Sequence, residues 1–428
     1  MRITVSSLIR LHITGKNRTV GRSGPLRWAL VILFAAQIMT THLRRDNPIT
    51  LSRSLGTPRP RRLRRLFVAA LALAGLGFTG LALVSHRQSL AGKLGSAIPQ
   101  AFARAPVPMV NCAPRPAQLQ QDLTNIAQSF AGKVGIAVTQ AGCDWTVGTR
   151  TDQYFPQQSV SKLWVAISVL DAVDRGKLQL DEPLTLRPED QVVFNQPMRW
   201  TVLKQGSLTL PTAAMMRAAL SLSDNMANDK LLWRVGGPDH VRAILTERGI
   251  SGIRFGPGER LLQSQIAGLQ WTPDLATGYN FEQARACLPM PQRQALLASY
   301  IADPLDGATP AGIAHALALL GQGQLLSADS TNVLLDIMAH SRSGPKRLKG
   351  ALPADWTVYH KTGTGQELQG LATGYNDVAI FQAPDGTRYA VAVLIGETRL
   401  PIKARMEMMQ AVSRAVVAAH ERTLATAS

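Results

Sequence analysis

Residues 154–173 read YFPQQSVSKLWVAISVLDAV, and this stretch carries the pattern around which the rest of the domain is organised. A polar loop ends at Gln158, and the apolar run from Leu163 to Val173 predicts a buried helix. Ser159 and Lys162 lie three residues apart at the start of that helix, where this spacing puts both side chains on one face. A lysine so placed can take the hydroxyl proton, and free N–H groups at a helix start can stabilise an oxyanion. The stretch therefore predicts Ser159 as a nucleophile and Lys162 as its base.

A serine at a helix start is more often a simple cap, so the interpretation needs further motifs. Residues 223–225 read Ser-Asp-Asn and lie between two helical stretches. These residues could also serve as a helix cap. In the catalytic interpretation, Ser223 shuttles a proton and Asn225 donates an amide N–H to a substrate carbonyl.

A third motif, Lys-Thr-Gly-Thr-Gly, occupies residues 361–365 at the end of a strand predicted for residues 356–360. It could be an ordinary turn. In the catalytic interpretation it is an edge strand that pairs with an extended substrate. Lys361 and Thr362 would then meet a substrate carboxylate, and the small Gly363 would let the substrate approach the backbone.

Alternating apolar residues predict strands at both ends of the domain, which extends from 114 to 428. The predicted strands cover residues 133–139, 145–150, 356–360, 371–382 and 388–396. Helical spacing marks residues 117–130 and 402–421, and residues 160–325 are predicted to form a mostly helical subdomain. This segregation predicts an α+β fold in which one antiparallel sheet of about five strands, drawn from both chain ends, is flanked by helices.

The three motifs, in this order, are the set found in class A β-lactamases and penicillin-binding proteins. From about residue 116 to 422 the chain resembles the catalytic domain of class A β-lactamases, within the penicillin-recognising serine hydrolases. Phe155-Pro156, the run 224–238 and the run 306–310, which resembles the exit of the family's omega loop, extend the likeness. The resemblance implies opening of a β-lactam ring through an acyl-enzyme on Ser159, with no metal or cofactor.

The resemblance also implies roles for individual residues. Lys162 is the base, and Ser223 passes a proton to the leaving nitrogen. The backbone N–H groups of Ser159 and Thr364 match the family's oxyanion hole. Phe194 stands where the family often keeps an aromatic residue at the entrance of the site.

The expected deacylating glutamate departs from the family pattern, which is Glu-x-x-Leu-Asn. The nearest match is Glu259-Arg-Leu-Leu-Gln263, within a segment, 256–305, that is several tens of residues longer than usual. Glu259 is therefore predicted either as the base that activates the deacylating water or as a solvated loop carboxylate. Without such a base, the alternatives are a peptidoglycan DD-peptidase or acylase acting on a peptide, or a membrane-tethered β-lactam sensor.

An arginine that the family usually keeps after the Lys-Thr-Gly strand is also missing, and Gly370 stands near its place. Arg399 or Arg405 could substitute for it. Either could equally be a surface charge.

The formal net charge of +18 is concentrated at the N-terminus. Residues 1–104 contain 17 lysines and arginines and one acidic residue, Asp46, whereas the remainder contains 29 basic and 27 acidic residues. The globular part is therefore close to neutral. A nucleic-acid-binding groove would need its positive charge there, so we expect no nucleic-acid partner.

The N-terminal charge lies beside an apolar segment. A cluster of arginines at residues 59–65 precedes an uncharged run of 19 residues, 66–84, which is long enough for a signal peptide or a membrane anchor. Basic clusters stay on the cytoplasmic side, so the following chain is predicted to be periplasmic, anchored in the inner membrane or secreted after cleavage. Residues 1–65 are a basic cytoplasmic or over-long N-terminal segment, and residues 85–113 are a linker. We expect a monomer.

The chain has three cysteines, Cys112, Cys143 and Cys287, and no pair has metal-ligand spacing. If the protein is exported, a disulfide between Cys112 and Cys143 is possible. Three unpaired thiols are the alternative.

Overall fold

The computed structural model describes Cys112 and residues 114–427. The predicted basic segment 1–65, the apolar run 66–84 and nearly all of the linker 85–113 lie outside the described residues. Within the part that is described, none of the helices combines the length and the apolar character that crossing a bilayer requires.

An antiparallel sheet joins the two ends of the domain, as the sequence predicted. Its strands are β1 (Gly132–Gln140), β2 (Thr146–Thr149), β7 (Thr357–Gly363), β8 (Glu367–Leu368), β9 (Leu371–Gln382) and β10 (Arg388–Thr398). The spatial order is β2-β1-β10-β9-β7, with the short β8 pairing with β9. Strand β1 pairs with β10 from the opposite end of the chain, with Gly135 opposite Leu394. The α+β prediction is therefore confirmed.

Alternation along the strands gives the sheet two apolar faces, because successive side chains point to opposite sides. On β10, Val391 and Val393 face one apolar cluster, whereas Ala390 and Ala392 face another. The first cluster includes residues from the first and last helices of the domain, and the second includes residues from the helical subdomain.

The helices follow one another along the chain, with most of them between the two groups of sheet strands. They are α1 (Ala117–Ser129), α2 (Lys162–Asp174), α3 (Arg199–Gln205), α4 (Thr212–Ser221), α5 (Asn225–Arg234), α6 (Gly237–Glu247), α7 (Glu259–Ala267), α8 (Asn280–Cys287), α9 (Met290–Ala302), α10 (Pro310–Gly321), α11 (Ala328–Ala339) and α12 (Ile402–Ala427). Two small antiparallel pairs accompany them. These pairs are β3 (Phe155–Pro156) with β6 (Gly307–Ala308), and β4 (Pro183–Leu186) with β5 (Leu208–Pro211).

Helix α2 lies at the centre of the helical subdomain and is buried over Lys162–Ala172. A helix that is apolar on every side must be surrounded by other elements, and α2 contacts α4, α5, α6 and α11. A short 3-10 turn, Gln158–Ser161, leads into it. The predicted nucleophile therefore sits on this turn, at the entry of a rigidly packed helix.

The third motif differs from its prediction in one detail. Strand β7 continues through Gly363, so Lys361 and Thr362 belong to the strand and do not follow it. In the register of the sheet, Lys361 lies opposite Val378 of β9. Because β7 ends the strand order, its other edge has no sheet partner among the described residues, which agrees with the edge-strand prediction.

Residues 256–305 contain helices α7, α8 and α9. Apolar side chains of α7 and α9, among them Leu262 and Leu297, form a cluster of their own together with Leu368 of β8. The segment is therefore a folded layer attached beside the free end of the sheet.

A disulfide joins Cys112 to Cys143, with the two Cα atoms 5.5 Å apart. The alternative of three unpaired thiols is thus wrong, and Cys287 is free and exposed. The bridge closes a loop that contains α1 and β1, so it ties the start of the domain to the β1–β2 turn.

Replacement of one bridged cysteine, Cys143→Ser, should lower the free energy of unfolding by about 3 kcal/mol, because the unfolded chain gains the freedom of an open loop. Urea unfolding under non-reducing conditions measures this loss. Cys287→Ser is the matched control and should unfold like the wild type. Equal stability of Cys143→Ser and the wild type would show that the bridge does not constrain the chain.

Candidate active site

A cleft of about 550 Å³ collects most of the residues that the motifs singled out. Its lining comprises Ser159, Phe194, Asn195, Leu222, Ser223, Asn225, Glu259, Gln263, Arg285, Ser343, Arg347, Thr362, Thr364, Gly365, Gln366 and Glu367. Lys162 and Lys361 lie directly behind this lining, where each is bonded to one of its serines. The structure thus brings the three motifs and Glu259 into one site.

The first motif places a buried ammonium between a hydroxyl and a carboxylate. Lys162 Nζ donates a hydrogen bond to Ser159 Oγ over 2.7 Å. The same nitrogen lies 3.7 Å from Glu259 Oε2. Lys162 is only 1% exposed, so both partners compensate for the lost hydration of its charge. A proton can therefore move from Ser159 towards Glu259 through Lys162.

Glu259 is the first residue of α7 and is 7% exposed, so it is not a solvated loop carboxylate. Its backbone N–H donates to Asp229 Oδ1 of α5 over 3.0 Å, which holds the start of α7 against α5. Its Oε1 accepts hydrogen bonds of 3.1 Å from Asn225 Nδ2 and from Gln263 Nε2. These contacts aim the carboxylate into the cleft.

Asn225 was predicted to donate to a substrate carbonyl, and the structure shows that its amide has acceptors within the protein. Nδ2 donates both to Glu259 Oε1 and to the carbonyl oxygen of Val193, at 2.9 Å. Two acceptors at one end set the orientation of the amide. Asn225 therefore positions Glu259, and its buried Oδ1 has no partner among the described residues.

The second and third motifs meet through Ser223 and Lys361. Lys361 Nζ donates to Ser223 Oγ over 3.0 Å and to the carbonyl oxygen of Thr362 over 2.8 Å. Ser223 has a left-handed backbone, with a φ of 56°. Asn195 Nδ2 stabilises this strained turn by donating a hydrogen bond of 2.8 Å to the carbonyl oxygen of Ser223. Burial, and then the positive charge of Lys162, lowers the pKa of Lys361 well below its usual range.

An arginine that the sequence did not single out lies in the cleft. Arg347 donates to the carbonyl oxygen of Gly363 over 2.9 Å and to Thr364 Oγ1 over 2.7 Å. Its guanidinium lies 3.8 Å above the ring of Tyr375. Burial lowers the pKa of Arg347. No local pattern in the sequence marks Arg347, since its neighbours in space come from β7 and β9.

The two arginines suggested by the sequence do not line the cleft. Arg399 donates to the carbonyl oxygen of Gln369 at the surface. Arg405 is buried, donates to the carbonyl oxygen of Leu400 and lies 3.7 Å from Glu367. Neither arginine lines the cleft, although Arg405 is paired with Glu367 of that lining, and the arginine that lines it beside Thr364 is Arg347.

The remaining predicted residues lie at the rim and the floor. Phe194 is 46% exposed at the cleft, and its ring packs edge-on against Phe281, with 5.0 Å between ring centroids. Thr362 donates from Oγ1 to Ser343 Oγ over 2.8 Å. Any Cβ at Gly363 would collide with the carbonyl oxygen of Gln157, so glycine is required for the close approach of β7 to the nucleophile turn.

A buried network joins the nucleophile turn to the segment 256–305, and the sequence analysis missed it. Gln158, the residue before Ser159, has a φ of 52°, and its backbone N–H donates to Asp306 Oδ2 over 2.7 Å. Gln158 Nε2 donates to Tyr300 Oη over 2.5 Å, and Tyr300 Oη donates to Asp306 Oδ1 over 2.7 Å. Gln263 Nε2 donates to Gln158 Oε1 over 2.9 Å and also reaches Glu259. The conformations of Ser159 and Glu259 are thus coupled.

The charges around the cleft favour an anionic ligand. Lys162, Lys361 and Arg347 are buried beside it, and Glu259 is the buried carboxylate among its lining residues. Across residues 114–427, no group of three or more His, Cys, Asp or Glu side chains is arranged to hold a metal ion. The described site therefore offers a hydroxyl nucleophile, proton-transfer groups and a cationic binding wall.

Asp306 should make the stability of the domain depend on pH. Burial raises the pKa of Asp306 from 3.8 to about 6 in the folded protein, so folding favours its protonated form. Its contribution to stability is complete below the unfolded pKa and is lost as the pH rises through about 6. Between about pH 5 and 6.5, the free energy of unfolding of the wild type should fall by on the order of 1 kcal/mol relative to that of Asp306→Asn. Urea unfolding of both proteins across this range measures the difference, and parallel pH profiles would contradict the assignment.

Curated relatives match most of the domain. The chain is 25% identical over 280 residues to the β-lactamase VEB-1 of Pseudomonas aeruginosa, a match that covers 65% of this chain and 82% of the relative. It is 28% identical over 283 residues to the extended-spectrum β-lactamase PER-1 of the same organism, covering 65% and 80%.

Solved structures and a family model agree with these relatives. A β-lactamase from Chitinophaga pinensis is 27% identical with a TM-score of 0.57, covering 70% of this chain and 97% of that one. A reconstructed ancestral class A β-lactamase is 30% identical with a TM-score of 0.54, covering 70% and 99%. The model of the beta-lactamase enzyme family matches residues 118–420. With this match extending over the whole motif-bearing domain, the chain belongs to the beta-lactamase enzyme family.

Proposed function

We propose that this chain is a serine β-lactamase, a hydrolase that opens the β-lactam ring through an acyl-enzyme on Ser159. One observation carries the proposal. The buried Lys162 joins Ser159 Oγ, at 2.7 Å, to Glu259, at 3.7 Å, so that the nucleophile and a second base share one proton path. The family match and its β-lactamase relatives support the same activity.

Acylation uses the groups that surround Ser159. As Ser159 Oγ attacks the lactam carbonyl carbon, Lys162 gives one of its protons to Glu259, directly or through a water, and takes the Ser159 proton in its place. The proton held by Glu259 is returned towards the leaving nitrogen in the next step, so Glu259 is ionised again before deacylation. The C–N bond of the ring then breaks, and the nitrogen receives a proton through Ser223, which Lys361 holds in place. The backbone N–H groups of Ser159 and Thr364, both at the cleft, stabilise the oxyanion.

Deacylation needs a base that activates water against the ester. Glu259 serves this role, because it is buried at the cleft and is oriented by Asn225 and Gln263. The water attacks the ester carbonyl, its proton passes to Glu259, and Ser159 recovers its hydroxyl proton as the product leaves.

The substrate carboxylate binds at the cationic side of the cleft. Lys361 supplies a buried amine whose charged form a bound carboxylate stabilises, and Thr362 supplies a hydroxyl. Arg347 adds a second cation beside Thr364, to which it already donates. Paired charged donors of this kind are the usual receptors for a carboxylate. The edge of β7 lies alongside and can pair with the extended acyl side chain.

A DD-peptidase or acylase, or a β-lactam sensor, would share the acylating groups and lack efficient water attack. The position of Glu259 favours hydrolysis over these alternatives, since a carboxylate is buried beside Lys162 at the nucleophile. Three other carboxylates of the segment 256–305, Asp274, Glu282 and Asp303, do not line the cleft.

The variant Glu259→Gln should acylate at close to the wild-type rate and retain the adduct. Loss of general-base help should slow deacylation on the order of 10²- to 10⁴-fold, because the amide cannot take a proton from water. Intact-protein mass spectrometry after mixing with benzylpenicillin, followed over time, measures formation and decay of the adduct.

Two variants serve as controls for this experiment. Ser159→Ala should form no adduct, and Glu282→Gln, an exposed carboxylate of α8, should turn over like the wild type. If Glu259→Gln clears its adduct as fast as the wild type, Glu259 is not the base. A long-lived adduct in the wild type itself would favour the peptidase or sensor.

We also propose that the domain is exported and that residues 66–84 anchor it in the inner membrane or direct it there. The arginine cluster at 59–65 supports this orientation. The Cys112–Cys143 disulfide adds support, since such bridges persist in oxidising compartments such as the periplasm.

A reporter that is active only in the periplasm should be active when fused after Gly92 and inactive when fused after Arg65. The reason is that the basic cluster stays in the cytoplasm while the apolar run carries the following chain outwards. Reporter activity in intact cells provides the measurement. Activity of the Arg65 fusion, or none from the Gly92 fusion, would reverse the proposed topology.

A further inference from the structure

Helix α8 brings an arginine to the cleft that the mechanism above does not use. Phe281 of α8 is buried and packs against Phe194 at the rim. Arg285 lies four residues further on, so it shares a helix face with Phe281 and lines the same cleft as Ser159. The aromatic contact thus fixes the helix that presents Arg285.

The guanidinium of Arg285 lacks an anionic partner. Within residues 114–427 it makes no hydrogen bond or ion pair, and the negative charge of Glu282 attracts it only at longer range. Arg293 of α9 repels it, and the Nε of Arg293 is itself buried without a hydrogen-bond partner in the described chain. Burial, followed by this repulsion, lowers the pKa of Arg285. Two partly buried like charges with no counter-ion are unfavourable, and a bound anion would relieve them.

Other arginines of the domain differ from Arg285 in this respect. Arg234 is paired with Glu182 at 2.7 Å, although its position at the surface needs no such partner. Arg347, also at the cleft, is held by carbonyl oxygens of β7 and β9 and by Thr364. Arg285 alone among these three has no hydrogen-bond partner for its guanidinium among the described residues.

Arg285 and Arg347 reach the cleft from different elements. Arg347 is attached to the end of β7, where the ring carboxylate of a β-lactam is proposed to bind. Arg285 arrives with α8 and the Phe194 rim. A penicillin acylating Ser159 projects its acylamino side chain away from its ring carboxylate, so the side chain can reach this second cation.

We propose that Arg285 forms a second anion subsite, which binds an acidic group on the acylamino side chain of a β-lactam. The inference rests on the proposed β-lactamase function and narrows its substrate class to β-lactams with two carboxylates. The subsite belongs to the segment 256–305, so it is an addition of this chain to the motif-bearing core.

A matched pair of substrates tests the subsite. The first substrate is benzylpenicillin. The second is its analogue that carries an additional carboxylate on the side-chain carbon bearing the phenyl ring, so the two differ by this one group. For the dianionic analogue, Arg285→Gln should lower kcat/KM by on the order of tenfold, mainly through KM, because a charge-assisted hydrogen bond is lost. For benzylpenicillin the change should stay within about twofold, since its side chain offers no anion to Arg285. Arg285→Lys should recover part of the preference, and added salt should reduce it in the wild type.

The control is Arg422→Gln, which removes the same charge from the exposed face of α12 and should leave kcat/KM for both substrates unchanged. If Arg285→Gln lowers kcat/KM equally for the two penicillins, or for neither, the proposed subsite is wrong while the proposed hydrolase function still stands. If the wild type forms no adduct with benzylpenicillin and hydrolyses neither compound, the proposed function fails and the subsite falls with it.

Discussion

The site depends on keeping the charge of Lys162 inside the protein. An ammonium removed from water costs several kcal/mol unless partners replace its hydration. Here the cost is increased, because Lys162 begins α2 and the positive end of that helix dipole lies next to it. Ser159 and Glu259 are the partners that the structure provides. Since Glu259 comes from a distant segment, burial of one lysine requires α2 and α7 to be brought together.

The same requirement explains the network around Gln158. A non-glycine residue with positive φ carries backbone strain of about 1–3 kcal/mol and persists only where neighbours over-determine it. The backbone N–H of Gln158 donates to Asp306, and the side chain of Gln158 is hydrogen-bonded to Tyr300 and Gln263. All three come from the 256–305 segment or directly follow it. The strained turn that presents Ser159 and the helix that presents Glu259 therefore stabilise each other.

The sheet and the three motifs could be predicted from the sequence because their signals are local. Alternation of apolar residues marks β9 and β10, and the spacing between Ser159 and Lys162 is a property of any helix turn. Arg347 and Tyr300 could not be found in this way, since each acquires its partners only when remote elements pack. The partners of the Asn225 amide could not be predicted for a related reason. Its two acceptors, Val193 and Glu259, lie more than thirty residues away on either side of it in the chain.

These contacts divide the site into two parts that are stabilised in different ways. Ser159 stands on the 3-10 turn before α2, and Lys162 begins α2. Ser223 stands on the turn before α5 and Lys361 on β7, and the two main apolar clusters hold these elements. Glu259 stands on α7, which has a small cluster with α9 and is otherwise tied by polar side chains. Polar networks lose much of their stabilisation when a single member is removed, whereas an apolar core loses stability in proportion to the removed volume. Water attack on the ester is therefore the step most exposed to changes in residues 256–305. A chain with this architecture can lose deacylation while it retains acylation, which is the physical difference between a β-lactam hydrolase and a protein that only captures β-lactams.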